Sequence, residues 1–118
     1  MSDEKVSYSI PYLAAVEYLK ALGITDLDDE CFLCPEGLVH IVARGGGDTH
    51  LVILDAKRKR GISAPPKASE AKLRRIAMAY LAEHPEVDSL MVDLIEGLIV
   101  SDARVEMNAL IGAYHWER

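Results

Sequence analysis

Asp55 and Lys57 are the two residues whose types and spacing could do chemistry together. They lie in LVILDAKRKR, an apolar run that closes with an acid, a small residue and four basic side chains. On a strand, positions two apart project to the same face. Asp55 would offer a carboxylate to a divalent metal, magnesium or manganese, and Lys57 would stabilise negative charge developing on a phosphate beside it. That pair is half of a metal-dependent phosphodiester-cleaving site. The other half would be an acid on a neighbouring strand, and the sequence shows none where it is expected.

The charge distribution adds a second feature. The chain carries a formal net charge of −6, which argues against a general nucleic-acid binder. Yet eight of its 13 basic residues fall between Lys57 and Arg75, a span with Glu70 as its one acid. Such a local stripe on an acidic protein can face phosphates, or it can be a solvated loop and helix face. As a phosphate surface it would use Arg58, Lys59, Arg60, Lys72 and Arg75.

The elements that must position these groups follow from apolar spacing. With 118 residues, half of them hydrophobic, a single domain over 1–118 with its own core is expected, its first seven residues polar and frayed. Ile10 to Leu22 has helical spacing, with Pro11 in a first turn and Gly23 as a stop. Three strands follow: Cys31–Cys34, then Leu38–Arg44 (LVHIVAR), then His50–Ala56 after a glycine turn. The nearly continuous apolar run of the third suits a central strand covered on both faces. A Gly/Pro loop over Lys59–Lys67 leads to a second helix from about Ser69 to His84, and Pro85 lies just beyond it. Val87–Ile95 reads as a fourth strand, with Gly97 turning the chain into Leu98–Val100. The remainder fits a strand, a short helix or both. This order gives a small α/β sandwich, a mixed central sheet of four to five strands flanked by helices.

In this order and wording the chain resembles the YraN-like family, small bacterial proteins with a restriction-endonuclease-like core related to Holliday-junction resolvases. AAVEYLKALG is similar to the family's A-x-x-Y-L-x-x-x-G. LVHIVAR and its glycine turn stand where the family has G-E-I-D-L-I-A-R, and LVILDAKRKR where it has a hydrophobic strand ending E-V-K-x-R. EAKLRRIAMAYLAEHPEVDSLMVDLI is similar to its following helix and strand. The resemblance implies a nuclease scaffold in which Asp55 and Lys57 match the acid and lysine of the third strand. The family's remaining acids fall on His40, Leu38 and Tyr12. One carboxylate makes a weak magnesium site, and a histidine suits zinc, manganese or nickel better. Glu36 and His40 are the candidate replacement ligands beside Asp55. Three functions follow from the resemblance. One is a catalytically degenerate protein that binds nucleic acid, DNA before RNA, through the basic stripe. Another is an active metal-dependent endonuclease using Asp55 and Lys57. The third is a protein-interaction module, a homodimer through an exposed sheet edge among its forms.

The other motifs are bland. Cys31 and Cys34 are three apart in or beside a strand, so they face opposite ways and read as buried structural thiols. A zinc site with His40 and His50 matches no finger spacing. His84 places a ring at a helix C-terminus, where a cation suits the dipole. Tyr114, His115 and Trp116 suit a terminal segment packed on the sheet. No secretory signal or membrane-length apolar run is present, so a cytoplasmic protein with reduced cysteines is expected.

Overall fold

Two helices and seven strands make up the computed structural model, which describes residues 3–59, 61 and 66–118, and the side chains from Ile10 onward within these. The order is α1 (Asp3–Ala21), β1 (Asp26–Leu27), β2 (Phe32–Cys34), β3 (Gly37–Val39), β4 (Ile41–Gly45), β5 (Asp48–Arg58), α2 (Glu70–Glu83), β6 (Ser89–Ser101) and β7 (Arg104–Glu117). Five strands form a mixed sheet in the order β1-β4-β5-β6-β7, and β2 pairs with β3 in a separate hairpin. β5 and β6 are parallel, joined through α2; β4 and β7 run antiparallel to them. The chain is therefore an α/β protein on a mixed five-stranded sheet with two helices. No helix of the described residues is long and apolar enough to cross a membrane.

β5 sits at the centre, which explains its apolar run. Leu51 packs into a core with Leu73, Ile76 and Tyr80 of α2 and with Leu90 and Val92 of β6. Val52 and Leu54 point the other way, into a core with Ala15 and Leu19 of α1 and with Ile95. Alternate side chains thus enter two cores, one under each helix.

Three expectations are corrected. Pro11 lies inside α1 rather than in its first turn. Gly97 does not turn the chain but continues β6 as far as Ser101. The two residues meet: a Cβ on Gly97 would lie 2.5 Å from Pro11 Cβ, so the missing side chain makes room for the proline ring. Gly97→Ala is expected to cost about 1–3 kcal/mol, as overpacking of a filled core does, which a urea unfolding curve would register. Thirdly, LVHIVAR is not one strand. It breaks at His40, with Gly37–Val39 in the hairpin and Ile41–Gly45 in the main sheet.

The ambiguous C-terminal stretch is a single long edge strand, β7. Tyr114 and Trp116 pack against the core under α2, while His115 is exposed. Val92 pairs with Tyr114 but Leu94 with Leu110, so β7 bulges over residues 111–113. Gly112, at φ +71°, makes that bulge possible.

Candidate functional site

Asp55 has an acidic neighbour after all. Along the parallel β5–β6 ladder, Asp55 is the direct partner of Glu96. Glu96 follows Leu90, Val92 and Leu94 in the period-two series that faces α2, and it is 9% exposed. Asp55 itself is exposed, with Oδ1 accepting the Ala56 N–H at 3.0 Å. The two carboxyls border an open cleft of about 310 Å³ whose other wall is Pro66, Lys67, Ala68 and Lys72. This places the cleft outside the carboxyl ends of the parallel strands and at the start of α2, where α/β sheets usually bind ligands. Ser69 caps that helix, its Oγ accepting the Lys72 N–H at 3.1 Å.

Lys57 does not pair chiefly with Asp55. Its Nζ lies 2.9 Å from Glu96 Oε2, and Asn108 Nδ2 donates to Glu96 Oε1 at 3.4 Å. The hydrogen bond to Glu96, then the Glu96 and Asp55 charges, hold the Lys57 ammonium above its ordinary pKa. Lys57 is therefore a fixed cation and not a base.

His40 is fastened to β5 at two points. Its N–H donates to Val52 O at 2.9 Å, and its Nδ1 accepts the Leu54 N–H at 3.0 Å. The ring nitrogen thus stands where a strand carbonyl would, which accounts for the break between β3 and β4. That lone pair is spent on a main-chain donor and is not offered to a metal. Burial lowers the His40 pKa, against a smaller raising effect of the nearby Asp55. The unfolded chain therefore takes up this proton at higher pH than the folded chain does. The His40 contribution to stability is complete above about pH 6.5, the unperturbed value, and is lost as pH falls below it. His40→Asn, whose Oδ1 stands where Nδ1 does and can accept the same N–H, is expected to flatten the loss of stability between pH 7.5 and 5.5 in urea titrations.

The remaining candidates are placed as follows. Glu36 does not reach Asp55; it lies in the β2–β3 turn and binds Arg75 of α2 through Nε at 2.9 Å and Nη2 at 3.3 Å. Arg75 is thereby neutralised. Lys59 is likewise held by Glu106 at 2.6 Å, which also takes Arg104 at 2.9 Å. Arg58 and Lys72 are exposed and make no ion pair among the described residues, as is true of Lys67 and Arg74. Arg60 lies outside the described residues. Of the thiols, Cys34 is buried but Cys31 is exposed, because it precedes β2 rather than facing the core. His84 caps α2, its ring packed edge-on against Tyr80 at 4.0 Å.

Glu96 escapes the sequence reading, in which the strand ends at Ile95 and Glu96 falls in a turn, because β6 runs on to Ser101. The signal was there: an acid continuing the inward period of Leu90, Val92 and Leu94. For His50 the sequence offers only the zinc reading. In the structure its Nδ1 lies 2.7 Å from Asp93 Oδ2 in the sheet interior, and Asp93 Oδ1 accepts the Gly112 N–H at 2.8 Å.

The site can be tested for a divalent metal on its own donors. Glu96 is engaged by Lys57 and Asn108, His40 Nδ1 by the backbone, and Glu36 by Arg75. Among the described residues, no three His, Cys, Asp or Glu side chains come together to hold an ion. The arrangement does not fit such a metal. No protein-family model matches the chain, and no curated protein matches it.

Proposed function

We propose that the chain is a cytoplasmic, YraN-like protein that keeps a nuclease scaffold and binds nucleic acid, DNA before RNA, without cleaving it efficiently. The observation that carries this reading is the Lys57–Glu96 ion pair beside a cleft that Lys67 and Lys72 also line. The lysine that would serve a transition state is committed to the acid that would serve a metal. Lys67 and Lys72 remain for phosphate in the cleft, with Arg58 outside it at the end of β5 and Arg74 further along α2. Cations of this kind position a backbone and read little sequence. Lys59 and Arg75, expected in the same role, contribute less because Glu106 and Glu36 already neutralise them.

Fluorescence anisotropy of labelled single-stranded, duplex and branched DNA, with a chelator present and salt varied, tests the reading. Binding should survive the chelator and weaken steeply as salt rises. Adding manganese in place of the chelator should produce no cleavage. Absence of binding at low salt would sink the proposal. Manganese-dependent cleavage that Asp55→Asn abolishes would replace it with an active endonuclease.

A further inference from the structure

The opposite end of α2 is built for a different partner. The helix has 14 residues, about 20 Å at 1.5 Å per residue. Its start borders the cleft lined by Lys67 and Lys72, whereas its end borders a second cleft of about 370 Å³. Phe32 and Tyr80 line this cleft, their rings edge-to-face at 5.1 Å, together with the carboxylates of Asp28, Glu30 and Glu83. Asp28 is taken by Arg44 through two hydrogen bonds of 2.5 and 3.2 Å. Glu30 and Glu83 make no ion pair among the described residues, and both are exposed.

The β2–β3 hairpin forms an apolar shoulder to the same cleft. Phe32, Cys34 and Val39 turn inward to the core. Leu33 and Leu38 are direct cross-strand partners on the outer face, at 74% and 40% exposure. Leu33 also lines the cleft. Single exposed leucines are ordinary, but two abreast on the outer face of a two-stranded hairpin form an exposed apolar patch. Among the described residues no lysine or arginine lines this cleft, so its carboxylates repel a phosphate backbone without the counterweight that Lys67 and Lys72 give the first cleft, and this end does not continue the nucleic-acid surface.

We infer that this end of the molecule docks a basic amphipathic segment of another protein. Aliphatic side chains of that segment would lie on Leu33 and Leu38, while a lysine or arginine enters the cleft toward Glu30 and Glu83. The charge complementarity and the apolar pair select the same occupant, and neither depends on the nucleic-acid reading.

The test uses the full chain and a fluorescein-labelled octapeptide of alternating lysine and leucine, followed by anisotropy. Controls replace lysine by glutamate, or leucine by serine. The lysine–leucine peptide should bind and both controls should not. Glu30→Gln with Glu83→Gln, and separately Leu33→Ser with Leu38→Ser, should each weaken binding about tenfold, as truncating a central anchor does. All four side chains are exposed, so both double variants should melt with the parent protein. Unchanged affinity in either double variant overturns the inference, because attraction to the acidic chain at large would then suffice. Equal binding of the glutamate peptide also overturns it.

Discussion

Asp93→Ala is expected to lower the unfolding free energy by about 3–5 kcal/mol, the range for removing one member of a buried ionisable pair. Asp93 is 0% exposed and His50 is 4% exposed, in the middle of the sheet. The carboxyl satisfies two groups at once: the imidazole on β5 and the Gly112 N–H in the β7 bulge. Alanine leaves both without a partner in a place water does not reach, and each orphaned group carries its own desolvation penalty. It also removes what fixes the bulge, so pairing between β6 and β7 should loosen there. Asp93→Asn should cost less, since its amide oxygen can keep the Gly112 bond. Urea unfolding of the three proteins measures the difference. A drop below about 1 kcal/mol for alanine, the net worth of one ordinary hydrogen bond, would show that His50 and Gly112 find other partners.

Replacing Arg58, Lys67 and Lys72 together by alanine should weaken DNA binding on the order of a hundredfold at low salt. The slope of log affinity against log salt should become shallower by about three, close to one for each phosphate deprived of its cation. The specificity of this effect lies in its control. Lys59 and Arg75 belong to the same basic stretch of sequence, yet each is already held by a glutamate. Changing that pair to alanine should reduce affinity far less. If the pair matters as much as the triple, the bound nucleic acid opens the ion pairs, and the static geometry misassigns the binding surface.

Much of the fold could be read from the chain, because it rests on local patterns. The apolar run of β5 announced a strand covered twice, and the stripe of Leu73, Ile76, Ala77 and Tyr80 announced α2, whose cap Ser69 was in place. The C-terminal hairpin was not legible. Gly97 looks like a turn residue, and only its packing against Pro11, far off in sequence, reveals why a strand needs it. His40 likewise gives no local sign that its ring replaces a carbonyl in the ladder.

The candidate site was half legible. Asp55 and Lys57 share one strand, so their period showed. Glu96 lies 41 residues from Asp55 and enters the site only through parallel pairing across α2. The basic stripe was visible as a composition, but which of its charges remain available was not. Glu36 and Glu106 reach Arg75 and Lys59 from 39 and 47 residues away, and nothing in the local sequence marks those pairs.

The most direct test is amide chemical-shift mapping on isotope-labelled full chain titrated with a short single-stranded DNA at low salt. Shifts should concentrate at Asp55 to Lys59, at Lys67 to Arg74 and at Glu96, while Asp28 to Leu33 and Glu83 stay silent. An unperturbed spectrum, or shifts centred on the acidic end of α2, would contradict nucleic-acid binding at this cleft.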